Sequence, residues 1–314
     1  MYLFLLSKEH LELAVYEVCT LLHVKSPVRL QNVLLAKNIP KNQLKKISRL
    51  AYTKSCHEVL FAVHQKNILK KIKTFNFPYE QSFAVQKIVL TNPETLNTEV
   101  LANAVYHNLK NKTKPVVDLK NPKTKFVFIF ADKKTFCTKE LWENTEDFEK
   151  RKAHLRPEPH PSSLHPKLAR CMVNLADSDE ITDPFCGTGG ILIEAGLMHL
   201  KMKGYDLDGI MVSRARINLD SFSLSGTVER KDALAIPKQK AIVTDMPYGR
   251  NTKVENAERL LLSFLQRTKA KKIIIGIPDF IPYRKIIKKA GKNIKKVFPI
   301  YLHKSLTKLV VVLC

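Results

Sequence analysis

The sequence predicts a mixed α/β protein in two parts, and three observations lead to this expectation. From residue 165 to residue 276, helix-like and strand-like apolar patterns alternate, which is typical of β-α-β crossovers and a mostly parallel sheet. Two apolar segments at 297–301 and 308–313, parted by a polar turn, predict a closing hairpin and therefore an antiparallel C-terminal edge. Before residue 139, short strands and helices mix in small units, which favours an α+β first half with an antiparallel sheet.

The elements of the first half follow from apolar periodicity. Residues 82–88 alternate polar and apolar side chains, as a half-buried strand does, and residues 97–109 have the spacing of an amphipathic helix. Further predicted elements are strands at 2–6, 116–119 and 126–130, an apolar pattern over 51–63, and helices at 8–22 and 66–74. A charged, proline-bearing segment over residues 139–161 then marks a change of composition, which we interpret as a linker.

In the second half, helix and strand patterns alternate, and short apolar runs predict buried strands. The predicted order is helix 165–176, a strand near residue 181, helix 190–201, strand 202–205, helix 210–219, a strand ending at residue 232, and strands at 241–244 and 271–276. Ligands of such sheets bind beyond the carboxyl ends of the strands, so we expect the candidate motifs to gather at one edge.

Charge and cysteine content narrow the class of protein. The chain carries 53 Lys and Arg against 29 Asp and Glu, a formal net charge of +24, which predicts a polyanionic partner such as nucleic acid. Generic solvated lysine is the alternative, since lysine enrichment also accompanies life at high temperature. Basic stretches occur at 37–46, 66–73, 110–114, 120–125 and 285–296. Six scattered cysteines without metal-ligand spacing predict reduced thiols, no metal site and a cytoplasmic location.

A glycine-rich turn follows the predicted strand near residue 181. It has the sequence Asp183-Pro184-Phe185-Cys186-Gly187-Thr188-Gly189-Gly190, in which Leu192 stands where a dinucleotide site needs its third glycine. A phosphate-binding Walker loop is excluded as well, because no Gly-Lys-Ser/Thr follows. S-adenosylmethionine needs no phosphate cradle, and carboxylates at the next two strand ends suit it: Asp206 for the ribose hydroxyls and Asp232 for the adenine amine. Solvated turn carboxylates are the alternative interpretation of both.

A second motif, Asp245-Met246-Pro247-Tyr248 followed by Gly249-Arg250, ends another apolar run. The amino nitrogen of a nucleobase is a poor nucleophile, so a catalyst must orient it with hydrogen-bond acceptors and draw off positive charge. The Asp245 carboxylate and the Met246 carbonyl oxygen fit that task, with Tyr248 stacking on the base. An Asp-x-Pro turn that merely closes a strand is the structural alternative. Cysteine-based methylation of ring carbon is disfavoured because Cys186 is better explained as a packing residue.

The glycine-rich turn and the Asp245 motif together resemble those of a known family. The second half is similar to class I, Rossmann-fold methyltransferases, specifically the archaeal and eukaryotic tRNA guanine-N2 methyltransferases that act on guanosine 10. The resemblance is carried by these segments: Arg156-Pro157, His160-Pro161-Ser162-Ser163, residues 183–190, Gly204-Tyr205-Asp206-Leu207-Asp208 and residues 244–250. The first half resembles a THUMP RNA-binding domain, through 83–85 and 116–119, preceded by a small ferredoxin-like domain.

The resemblance implies domain bounds and site roles. The expected domains are 1–50 (ferredoxin-like), 51–142 (THUMP), a linker at 143–160 and a methyltransferase domain at 161–314. Cofactor contacts are expected from Asp183, Phe185, Gly187, Gly189, Asp206, Leu207, Asp232 and Asp245. Catalytic roles are expected from Asp245, Met246, Pro247 and Tyr248, and substrate contacts from His160, Ser162 and Arg250.

Several functional alternatives stay open on the sequence alone. The expected partner is tRNA, and the eukaryotic members also work with a small zinc-bearing activator protein, so the resemblance leaves such a partner open. The same chemistry at another tRNA position, such as guanosine 6 of the acceptor stem, and a non-catalytic RNA-binding protein are the other hypotheses. The family usually has Pro where this chain has Met246, which removes a rigid backbone angle and bears on the choice between one and two methyl groups. Lysine content and length are typical of an archaeal member.

Overall fold

The computed structural model describes residues 1–91, 96–247, 254–303 and 306–314. They form two compact units. The first comprises Met1–Leu11, His23–Ser48 and Thr53–Asn144, and the second comprises Glu12–Leu22, Arg49–Tyr52 and Thr145–Cys314. Helix α1 (Leu11–Leu21) therefore belongs almost wholly to the second unit, although it lies near the start of the chain. The finer domain bounds at residues 50, 142 and 160 stay a prediction.

The first unit is an eight-stranded sheet with helices. Its strands are β1 (Tyr2–Leu6), β2 (Val28–Leu30), β3 (Val33–Ala36), β4 (Thr53–His64), β5 (Ser82–Val89), β6 (Val116–Val117), β7 (Thr124–Ala131) and β8 (Lys134–Glu143). The helices are α2 (Lys41–Leu44), α3 (Ile68–Thr74) and α4 (Thr98–Lys110). The strand order is β2-β3-β1-β4-β8-β7-β5-β6. Aromatic rings fill one core of this unit, where Phe77 meets Phe126 edge to face at 5.1 Å between centroids.

The expectation of an antiparallel sheet needs a correction. Strand β5 pairs parallel with both β6 and β7. Helix α4 returns the chain between these strands, and such a crossover makes neighbouring strands parallel. Strands β2, β3 and β8 were not expected from the sequence, and residues 139–143, which we interpreted as part of the charged linker segment, complete β8. The charges of that stretch stand on a strand and form ion pairs across it, such as Lys125 to Glu140 at 2.9 Å.

The second unit confirms the mostly parallel sheet with an antiparallel C-terminal hairpin. Its strands are β9 (Glu180–Asp183), β10 (Lys201–Asp206), β11 (Thr227–Arg230), β12 (Ala241–Asp245), β13 (Lys272–Pro278), β14 (Ile294–His303) and β15 (Leu306–Leu313). The helices are α5 (Pro166–Ala176), α6 (Gly190–Leu197), α7 (Gly209–Ser221), α8 (Val254–Arg267) and α9 (Tyr283–Lys289), the last two not expected from the sequence. The order β11-β10-β9-β12-β13-β15-β14 is parallel except where β15 pairs with β13 and β14.

The strand order reverses between β9 and β12. Asp183, Asp206 and Asp245 end β9, β10 and β12, so all three carboxylates lie at the carboxyl edge beside this reversal. Crevices at such a point are the usual ligand sites of open α/β sheets. Among the helices of the described ranges, none has the length and apolar content needed to cross a membrane.

Helix α1 is fixed within the second unit by a buried carboxylate. Glu17 accepts hydrogen bonds from the backbone N–H groups of Ala51 and Tyr52, both at 2.9 Å, and from Asn174 Nδ2 at 2.7 Å. Burial raises the pKa of Glu17, whereas these donors act in the opposite direction. These three hydrogen bonds to Glu17 therefore hold α1 against α5.

Candidate active site

The glycine-rich loop connects β9 to α6. Gly187 and Gly189 have φ values of 50° and 83°, in the left-handed region that side chains disfavour. The Gly187 N–H donates to Asp206 Oδ2 at 2.9 Å, which ties the loop to the end of the neighbouring strand. A β-carbon at Gly189 would lie 3.4 Å from Ala215 of α7, so this glycine permits close packing of the loop on that helix.

Asp183 is a buried carboxylate at the end of β9 that contacts both the glycine-rich loop and β12. It is 2% exposed, and its Oδ1 accepts from Thr244 Oγ1 at 2.6 Å and from the Phe185 N–H at 3.2 Å. Burial raises the pKa of Asp183 to about 7, with the charges of Asp245 and Asp206 adding to the effect. Asp183 therefore organises both the glycine loop and the end of β12.

Asp206 and the two residues after it form the next wall. The Asp206 Oδ1 atom accepts from the Asp208 N–H at 2.9 Å, so the carboxylate is oriented by one donor on each oxygen. Each carboxylate oxygen has a second lone pair, which leaves capacity for hydroxyl donors of a ligand. Leu207 is 67% exposed although it is apolar, and it lies on the cavity, where a flat ring could pack on it.

Asp232 stands beyond the end of β11. Its side chain is exposed, and Oδ1 accepts from the Leu234 N–H at 2.8 Å, which caps a short 3₁₀ turn. This capping bond agrees with the alternative interpretation of Asp232 as a solvated turn carboxylate. It occupies one oxygen and leaves Oδ2 for a ligand donor.

Asp245, at the end of β12, forms an ion pair with Lys308 of β15 through Oδ2. The Lys308 side chain is 2% exposed and that of Asp245 is 17% exposed. Burial raises the pKa of Asp245, and the neighbouring Lys308 ammonium acts to lower it. Oδ1 of Asp245 has no hydrogen-bond partner within the described part of the chain, and a β-carbon on Gly276 would lie 2.3 Å from it.

Met246 and Pro247 continue from Asp245 along the cavity. The Met246 N–H donates to the Gly276 carbonyl oxygen at 3.0 Å, a bond that proline at this position could not make. The Met246 side chain is 1% exposed and packs in the apolar core, so only its backbone is suited to a role in chemistry. Tyr248 and Arg250, which the sequence also nominated, lie outside the described residues.

The segment before α5 closes another side of the cavity. Ser162 Oγ lies 2.7 Å from His160 Nδ1, and Ser163 Oγ lies 3.2 Å from Thr188 Oγ1 of the glycine loop. His160 and Ser162 both face the cavity, where the sequence analysis expects substrate contacts.

These walls enclose a cavity of about 580 Å³, a size typical of sites for cofactors and drug-sized ligands. Of the nominated residues that the structure describes, all but Gly189 line it: His160, Ser162, Asp183, Phe185, Gly187, Asp206, Leu207, Asp232, Asp245, Met246 and Pro247. Cys186 also lines the cavity, but burial raises the pKa of its thiol, which suits packing and not nucleophilic attack.

Three residues that contact the nominated carboxylates were not expected from the sequence to do so: Lys308, Gly276 and Thr244. Lys308 opens an otherwise apolar run at the end of the chain, and a charge beside such a run is a signal for a buried ion pair. No comparable signal marks Gly276, because its importance depends on which residue stands beside it in the neighbouring strand.

Comparisons with known proteins identify the relatives of this chain. The family described as "RMKL-like, methyltransferase domain" matches residues 153–276. The chain is 33% identical to the tRNA (guanine(10)-N2)-dimethyltransferase of Methanothermobacter thermautotrophicus, over 83% of this chain and 82% of that protein. It is 30% identical to the protein of the same name from Methanocaldococcus jannaschii, over 96% of each chain. In fold it is similar to TrmN from Thermus thermophilus, with a TM-score of 0.53 and 19% identity over 99% and 98% of the two chains. The chain belongs to the tRNA (guanine(10)-N2)-dimethyltransferase family.

Proposed function

We propose that the protein transfers methyl groups from S-adenosylmethionine to the exocyclic N2 of guanosine 10 in tRNA. The observation that carries the proposal is the meeting of two elements at one cavity: the glycine loop after β9 and the Asp245-Met246-Pro247 turn after β12. The substrate and its position are taken from the names of the relatives. The roles of individual residues are inferred from the side chains and backbone that line the cavity.

The residues present suit S-adenosylmethionine. Asp206 would accept from the ribose hydroxyls, Asp232 from the adenine amine, and Leu207 would pack on the adenine ring. The ligand can approach the loop closely because Gly187 has no side chain. The position that a β-carbon of Gly187 would occupy faces open space, with no atom within 4 Å. When bound, the cofactor supplies an electrophilic methyl group on a sulfonium sulfur.

The contribution of the chain to the reaction is orientation and charge. The Asp245 carboxylate and the Met246 carbonyl oxygen accept hydrogen bonds from the amino group and so direct its lone pair away from conjugation with the ring. Positive charge that develops on the nitrogen is stabilised by the carboxylate, which is also the acceptor for the departing proton. Tyr248 is proposed to stack on the base and Arg250 to contact the substrate, from their positions in the motif alone.

The first unit is proposed to be the RNA-binding part, built from a ferredoxin-like domain at 1–50 and a THUMP domain at 51–142. Support comes from exposed lysines along its loops and helix ends, among them Lys66, Lys70, Lys110, Lys120 and Lys123. Exposed cations bind the phosphate backbone with little regard to sequence, which suits recognition of the shape of tRNA. A small zinc-bearing activator protein and a cytoplasmic location are proposed by analogy with eukaryotic relatives and from the free cysteines.

The test is methyl transfer from labelled S-adenosylmethionine to an unmodified tRNA transcript, followed by nucleoside analysis and mapping of the modified position. We expect N2-methylated guanosine at position 10 and no label in a transcript with adenosine at that position. Label at guanosine 6 in both transcripts would show that the target lies in the acceptor stem and not at position 10. Binding of both ligands without transfer, even after addition of an activator protein, would favour the non-catalytic hypothesis.

A further inference from the structure

Lys308 is a buried lysine on β15 whose ammonium group reaches Asp245 at the end of β12. Strand β13 lies between these two strands, and Asp245 is in register with Gly276, which is in register with Val310. Lys308 is two residues from Val310 and therefore on the same face of the sheet. Gly276 has no side chain on that face, so the lysine can cross β13 to Asp245.

The crossing is closely fitted. A β-carbon on Gly276 would stand 3.4 Å from Lys308 Cδ and 2.3 Å from Asp245 Oδ1. The lysine is 2% exposed, and a lysine is rarely buried to that degree unless it is paired. Its ion pair with Asp245 Oδ2 is therefore a built feature of the sheet and not a surface contact.

The ion pair has a direct consequence for the amino group of the substrate. A protonated carboxyl would present a donor to an amino group that is itself a donor, whereas a carboxylate presents acceptors only. Lys308 occupies Oδ2, and within the described ranges Oδ1 has no partner, so Oδ1 keeps its acceptor capacity.

We propose that Lys308 is a positioning residue for methyl transfer: it keeps Asp245 ionised inside the site and fixes the orientation of the carboxylate. Gly276 leaves the space in which the two side chains meet, because it has no side chain of its own. This inference rests on the proposed function, because it assumes that Asp245 holds the target amino group. Among the described residues, the titratable groups that face Asp245 are Lys308 from β15 and Asp183 from β9, whose own pKa rises in part through the charge of Asp245.

The decisive variant is Lys308→Met, which keeps a long apolar side chain and removes the charge. Without the ammonium group, the pKa of Asp245 should rise by about one to three units, the usual effect of one close opposite charge. The acidic limb of kcat/KM should move to higher pH by the same amount, with activity recovering as the pH is raised. Lys296→Met is the control for the titration of Asp245, because it removes an exposed lysine from the same hairpin.

The charge state of Asp245 can also be observed without catalysis. The ¹³Cγ resonance of its carboxyl group, assigned by its loss in Asp245→Asn, reports ionisation directly by NMR. We expect a higher midpoint in Lys308→Met than in wild type and no change in Lys296→Met. An unchanged midpoint, or a loss of activity that is equal at every pH, would overturn the proposal in favour of a purely structural lysine.

The two readouts separate this inference from the proposed function. If wild-type protein fails to methylate guanosine 10 but the NMR midpoint still shifts in Lys308→Met, the function is wrong and the coupling of Lys308 to Asp245 stands. If methylation occurs at guanosine 10 and the midpoint does not shift, the function stands and the role of Lys308 is wrong. Folding of the variant is checked by its affinity for S-adenosylmethionine, which should equal that of wild type.

Discussion

The Gly276→Ala substitution tests how closely the strand beside Asp245 controls the site. A β-carbon at this position would lie 2.3 Å from Asp245 Oδ1, whereas ordinary contacts begin at 3.4 Å. The carboxylate or the strand must therefore move by about 1 Å, and a displacement of that size in an active site costs on the order of 100-fold in rate. Such overpacking should also cost about 1–3 kcal/mol of stability.

The assay is single-turnover methyl transfer to the tRNA transcript, with thermal unfolding and calorimetric binding of S-adenosylmethionine alongside. We expect a rate loss of about 100-fold with cofactor affinity little changed. Gly209→Ala is the control, because a β-carbon there meets only ordinary contacts, the nearest at 3.6 Å from Arg230 Cδ. It should leave rate and stability close to wild type.

A second substitution isolates the cause. In an Asp245→Ala background the carboxylate is gone, so adding Gly276→Ala should cost much less stability than it does alone, a coupling that a double-mutant cycle measures. Wild-type activity in Gly276→Ala, or the same destabilisation in both backgrounds, would refute the claim that Gly276 is required by its contact with Asp245.

Three further predictions concern other parts of the second unit. Asp206→Ala removes the acceptor of the Gly187 N–H, so calorimetry should show at least about tenfold weaker binding of S-adenosylmethionine, and unchanged affinity would contradict the site. The pKa of Asp183 is raised to about 7 in the folded state, so keeping this carboxyl ionised destabilises the fold; that destabilisation is absent below about pH 4 and grows until about pH 7. The stability of Asp183→Asn relative to wild type should therefore increase across that window, by up to about 4 kcal/mol. A stability difference in melting curves that does not depend on pH would exclude this explanation. Glu17→Ala leaves the donors of Ala51 and Tyr52 buried without their acceptor, so unfolding should require about 3–5 kcal/mol less free energy, against a negligible change if α1 is held by other contacts.

Most of the second unit was predictable because its signals are local. Short strand-like segments that end in Asp183, Asp206 and Asp245 indicate the carboxyl ends of strands, and parallel topology brings those ends together. The cavity therefore contains most of the nominated residues. The glycine loop was recognisable for the same reason, since its turn requires glycine at Gly187.

The rest depends on partners that sequence does not place side by side. The ion pair between Asp245 and Lys308 crosses a third strand, and nothing in either local segment specifies the other. Strand β8 was hidden because its charges, including Lys139, suggested a linker, whereas they pair with charges on neighbouring segments, as Lys139 does with Glu80. Composition indicates exposure, but a sheet with one open face accommodates charge on a strand.

The central claim is that Asp245 holds the amino group of the target base while the rest of the cavity holds the cofactor. It is tested most directly by comparing wild type with Asp245→Ala in single-turnover transfer to guanosine 10, with cofactor affinity measured on both proteins. The account predicts N2-methylated guanosine with wild type, loss of transfer by a factor of at least about 1,000 in the variant, and a far smaller change in affinity for S-adenosylmethionine. Transfer by Asp245→Ala at a rate near that of wild type would contradict it.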